Sequence, residues 1–155
     1  MQRVAFYHPP KTQFSYLQNS LFNKYSIKSI INDDNYCGIR AILTAKMHLD
    51  FKNKLTDNLL DKSSFESQLK EVIEKLKLPN KPIGVPEIVQ IERFLKYYSI
   101  TIYDGENNDF KNKYIYIGPF NKYFIYILYT KSHYNVLTSM KAFFHRDRFC
   151  DYCKT

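Results

Sequence analysis

The chain is poor in cysteine, has no long apolar run and carries no repeat, and each shortage removes a class of protein. Three cysteines, Cys37, Cys150 and Cys153, are an odd and sparse set for a 155-residue chain, so no disulfide framework is expected. A reducing compartment, cytoplasmic or nuclear, follows from that usage. No apolar stretch approaches the ~20 residues that a helix needs to cross a bilayer, so no membrane partner is expected. The opening Met1-Gln2-Arg3-Val4-Ala5-Phe6 lacks an extended apolar segment and a small-residue cleavage site, so no secretory signal is expected. Neither an internal repeat nor a low-complexity linker divides the chain.

What is present suits one packed domain. Hydrophobic residues make up 45% and aromatics 17%, which places the chain with globular proteins rather than disordered ones. The formal net charge is +8. Basic residues are spread evenly, 12 in residues 1–80 and 11 in 81–155, and lysine greatly outnumbers arginine. A nucleic-acid footprint is usually clustered, so composition drift in a coding sequence rich in A and T explains the charge better.

Periodicity organises the rest. Residues 1–25 are aromatic and polar, with His8-Pro9-Pro10 marking an irregular or extended segment that packs on the domain. Residues 26–31 read as a strand. Ile39, Leu43 and Met47 recur every four residues, which predicts a helix over 37–49. Ser63 and Glu66 match a capping box opening a second helix, with Phe65, Leu69, Val72, Ile73 and Leu76 on its apolar face. Pro86 suits the first position of a third helix carrying Ile88, Ile91 and Leu95 up to about Tyr97. The period then falls to two, predicting strands over 99–103, 113–117, 123–130 and 132–137, the third of them central. Helices first and strands later predict an α+β domain, a small mixed β-sheet held between helices, over residues 26–140. Residues 141–155 form a C-terminal tail.

One constellation carries chemistry. Asp34-Asn35-Tyr36-Cys37 ends a turn and begins a helix, so Cys37 sits where backbone N–H groups and the helix dipole favour a thiolate. His133 enters the last strand and is the candidate base that takes the thiol proton and later protonates a leaving amine. Asn135 lies two residues on, on the same strand face, and is the natural orienter of the imidazole. The Cys37 N–H and the N–H groups of the Asp34–Tyr36 loop are available as an oxyanion hole, with Asp34 either bracing that loop or capping the helix. His48 lies about three turns along the helix from Cys37, roughly 16 Å away, too far to serve. His8 and His145 are weaker candidates.

Asp34-x-x-Cys37, followed by Ile39-Arg40-Ala41 and by a late His133-Tyr134-Asn135, resembles the ovarian tumour (OTU) family of cysteine proteases. The resemblance covers roughly residues 26–138. It implies a papain-type cysteine protease fold, and a deubiquitinase that cleaves ubiquitin or a ubiquitin-like modifier from lysine side chains or from polyubiquitin. It also implies the roles just given to Cys37, His133, Asn135 and Asp34; no cofactor, no metal and a monomer are expected. The chain departs from the family pattern at Asn35, where glycine is usual, at Tyr36, where a small polar residue is usual, and at Gly38, where a bulky apolar residue is usual. Glu87, Glu92, Asp104 and Glu106 are candidate partners for the arginines of a ubiquitin tail.

Cys150-Asp151-Tyr152-Cys153 is half of a zinc-site pattern. Similar tails follow OTU-like regions of viral and mobile-element polyproteins, so a truncated zinc knuckle is one reading and two idle thiols on a flexible tail the other. The alternative function is a catalytically degenerate OTU-like module of a larger polyprotein that binds nucleic acid or protein, motivated by the charge, the tyrosines and this pair. A redox role for the pair ranks below both.

Overall fold

The computed structural model describes residues 27–30, 32–56, 61–107, 113–144 and 146–154. The expected N-terminal segment 1–25 and the histidines His8 and His145 lie outside the described residues. In chain order the elements are β1 (Ile27–Ser29), α1 (Cys37–Lys52), α2 (Lys62–Leu76), α3 (Val85–Leu95), β2 (Tyr98–Asp104), β3 (Tyr114–Ile117), β4 (Tyr123–Thr130), β5 (His133–Leu137) and α4 (Met140–Phe144). This is a small α+β fold with a mixed sheet and several helices.

Local chemistry explains where the helices start. Asp61, in extended backbone, caps α2 by accepting from the Ser64 N–H at 2.8 Å. The cap expected at Ser63 is therefore displaced by two residues, and Glu66 is released for another task. At α3 the Gly84 N–H donates to Glu87 Oε1 at 2.7 Å, and Pro86 sits in the first turn, where its missing N–H costs nothing.

The sheet runs β1-β5-β4-β2-β3. Only the β2–β4 pair is parallel; β1–β5, β5–β4 and β3–β2 are antiparallel. β4 is the middle strand, as its unbroken aromatic and β-branched run requires. Alternation then sorts side chains to two faces. Ile100, Ile102, Ile125, Ile127, Tyr134 and Val136 form one core with Ile39 and Ile42 of α1, Leu69 and Val72 of α2, and Ile88 and Ile91 of α3. Each such isoleucine contributes roughly 1.5–3 kcal/mol by leaving water. Tyr103, Tyr126, Leu128 and Leu137 form the opposite core with Met140, Phe143 and Phe144 of α4. Phe149 extends that core, its ring stacked 5.4 Å from Phe144. Residues 146–154 are thus folded against the sheet.

Two buried carboxylates tie the layers. Glu92 accepts from the Ile100 N–H at 2.7 Å and from the Tyr116 hydroxyl at 2.5 Å, joining α3 to β2 and β3. Asp50 accepts from the Tyr98 hydroxyl and pairs with Lys46 at 2.7 Å. Among the described residues no helix is long and apolar enough to cross a membrane.

Candidate active site at the start of helix α1

The loop before α1 is pinned from three sides. The Asp34 carboxylate accepts from the Tyr36 N–H at 3.0 Å, from Asn32 Nδ2 at 2.6 Å and from Arg40 Nη2 at 2.7 Å. Arg40 turns its other edge to Glu66 of α2, at 2.6 and 3.1 Å. Burial pushes the Asp34 carboxyl upward, but Arg40, the Tyr36 N–H and Asn32 outweigh it and hold the group below the usual carboxylate range. The N-cap position of α1 is Tyr36, with no side-chain cap bond. Asp34 therefore braces the loop and does not cap the helix.

Cys37 opens α1 and is fully buried, at 0% exposure. Its sulfur accepts from the Tyr134 N–H, so the start of α1 meets the start of β5 despite their distance along the chain. Burial pushes the thiol up to about 11, against the opposing pull of the N–H groups of Tyr134, Gly38 and Cys37 itself, and the Asp34 charge adds to the rise. The thiolate expected from the helix start is thus not the resting form. Desolvation of a sealed sulfur exceeds what a few N–H groups return.

His133 is also buried, at 3% exposure. Its Nε2 lies 2.7 Å from the Ile30 carbonyl oxygen. A carbonyl only accepts, so Nε2 carries the hydrogen and the Nδ1 lone pair is the basic position. Burial pulls the imidazole down to about 4, opposed by the Ile30 contact. His133 and Asn135 alternate with Tyr134 and Val136, so β5 directs them to the Leu128 and Leu137 side of the sheet while Tyr134 faces Cys37. Asn135 Nδ2 donates to the Leu128 carbonyl at 3.4 Å. The Ile30 carbonyl holds the imidazole at Nε2. Sequence reasoning missed Ile30 because a backbone acceptor leaves no mark in side-chain identity.

A second omission is the segment between α2 and α3. Ile83 is buried against Gly38, and a Cβ at Gly38 would stand 2.7 Å from Ile83 Cγ1, 2.8 Å from Cδ1 and 3.1 Å from Tyr134 Cδ2. The Tyr134 hydroxyl donates to the Ile83 carbonyl at 3.0 Å, and Asn35 reaches Asn80 at 3.4 Å. This segment packs against the first turn of α1. It also explains why glycine stands at 38, since the space that a bulky residue would take belongs to Ile83.

The acidic candidates are engaged within the fold. Glu92 is buried under β2 and β3, Glu87 binds Gly84, and Glu106 accepts from the Thr130 hydroxyl at 2.9 Å and the Lys131 N–H at 2.5 Å. Asp104 accepts from the Glu106 N–H at 3.1 Å. Among the described residues no three His, Cys, Asp or Glu side chains are grouped to hold a metal ion.

A scan against protein-family models finds no match, and a comparison with curated proteins finds none either.

Proposed function

We propose that the chain is an OTU-like cysteine isopeptidase acting at the C-terminus of ubiquitin or a ubiquitin-like modifier, with Cys37 as nucleophile and His133 as base. The observation that carries this reading is the meeting of the Cys37 sulfur with the backbone at Tyr134, one residue from His133, beside a loop braced by Asp34, Arg40 and Glu66. The resting pair is a neutral thiol and a neutral imidazole. At rest strand alternation puts the imidazole on the other face of β5 from the sulfur, so this reading requires substrate entry to shift the start of α1 against β5 and bring the sulfur to Nδ1. His133 then takes the thiol proton while the sulfur attacks the carbonyl carbon. The same proton passes to the lysine amine as the C–N bond breaks, leaving a thioester on Cys37. Water attacks the thioester and restores the thiol. The Ile30 carbonyl steadies the imidazolium through Nε2. Because the Tyr36 N–H is given to Asp34, the Cys37 N–H is the oxyanion donor in this reading.

The test is covalent capture by a ubiquitin probe bearing a C-terminal electrophile. Wild-type protein is expected to be labelled and Cys37→Ala not. Unlabelled wild type, or an equally labelled variant, overturns the proposal.

A sealed neutral thiol, with the neutral imidazole directed to the other face of β5, favours a second reading, a catalytically silent binding module. Binding of ubiquitin or of single-stranded nucleic acid that survives Cys37→Ala, with no probe capture by wild type, supports that reading. For nucleic acid the net charge of +8 predicts steep loss of affinity with salt.

A further inference from the structure

A second pair of thiols lies on the α4 side of the sheet, independent of Cys37. Cys150 and Cys153 are both free and exposed. The turn around them is shaped about the first sulfur. The Cys153 N–H points at Cys150 Sγ from 3.2 Å, and the Lys154 N–H closes on the Cys150 carbonyl at 2.7 Å. The Cys153 amide thus supports negative charge on the Cys150 sulfur. The turn is anchored by the Tyr126 hydroxyl donating to Asp151 and by the Lys154 ammonium, 4.9 Å from the Phe124 ring centre.

Adjacent thiolates grip a soft tetrahedral ion such as zinc, but a closed zinc site needs four ligands. Among the described residues no third ligand joins the pair. A second copy of the chain supplies an identical pair if a two-fold axis passes through the metal. The rim beside the thiols suits such a contact. Tyr152 is 79% exposed and Phe120 69%, with their rings 6.0 Å apart, an aromatic patch that a second copy would cover. Four thiolates on a divalent ion also form an anionic core, which offsets repulsion between two chains of net charge +8.

We propose that Cys150 and Cys153 bind zinc as half of a tetrathiolate site shared between two copies of this chain. On binding, each thiol gives its proton to solvent and forms one metal–sulfur bond, with no change of oxidation state.

The reduced full chain is titrated anaerobically with cobalt(II) as a spectroscopic stand-in and then with zinc, followed by absorption and sedimentation velocity. The expected result is a thiolate-to-cobalt charge-transfer band saturating at one metal per two chains, bleached by zinc, with the sedimenting mass doubled and restored by chelator. Cys150→Ser and Cys153→Ser, each checked for an unchanged thermal melt, are expected to lose both band and dimer. Four results overturn the proposal: no band with wild type, a band that persists in the double variant, saturation at one metal per unchanged monomer, or a dimer indifferent to chelator.

Discussion

The packing of Ile83 on Gly38 can be tested by a double-mutant cycle. Ile83→Ala removes the two atoms that stand 2.7 and 2.8 Å from a Cβ at position 38, and opens a cavity in a buried site. Such a truncation costs about 3 kcal/mol. Gly38→Ala alone forces those atoms to move, an overpacking cost of about 2–3 kcal/mol, partly offset by about 1 kcal/mol of helix propensity. Its net cost is therefore about 1–2 kcal/mol. In the double variant the clash with Ile83 is gone and only the 3.1 Å approach to Tyr134 remains, while the new methyl fills part of the cavity. The double variant should thus be no less stable than Ile83→Ala, giving a favourable coupling of about 2 kcal/mol, well beyond the ~0.5 kcal/mol scatter of independent sites. Urea unfolding of the four proteins, with unchanged m-values, measures it. Ile83→Ala should also speed alkylation of Cys37 under native conditions. Additive effects would refute this account of the helix start.

Three further outcomes follow from the same geometry. His133 binds a proton less readily folded, at about 4, than its ordinary 6.5, so acidification favours the unfolded chain; stability is fully present above pH 6.5 and falls by about 3 kcal/mol by pH 4. The urea midpoint of wild type, compared with His133→Asn, should show that loss only in wild type, and equal slopes would remove the burial argument. With Cys150 and Cys153 replaced by serine, alkylation of Cys37 should rise about tenfold per pH unit toward a thiol held at about 11, and a plateau at neutral pH would reveal a thiolate–imidazolium pair instead. Gly118→Ala would place a Cβ 1.8 Å from Glu92 Oε2 and displace that carboxylate from Ile100 and Tyr116. Unfolding should show a loss of about 3 kcal/mol, and a loss under ~0.5 kcal/mol would mean the carboxylate has another resting place.

The four-residue period of α1, the unbroken aromatic and β-branched run of β4 and the alternation in β5 put those elements where the structure has them. Helix starts were less legible. Asp61 and Ser63 are both good caps, and the choice between them went with the task given to Glu66, which is pairing with Arg40. The helix-start thiol was legible too, but its ionisation was not, since that depends on how fully the core shuts the sulfur away from water.

By itself the sequence determined the types of the five strands and of α1 to α3, and the identity of the chemical groups at positions 34, 37, 133 and 135, because periodicity and side-chain chemistry are local properties, whereas α4 fell in what read as a tail. Tertiary structure alone decided that the sulfur meets the Tyr134 amide, that a backbone carbonyl at Ile30 holds the imidazole, and that both groups rest uncharged. Strand alternation, desolvation and backbone acceptors act through space, and none of them is written in the spacing of residues along the chain.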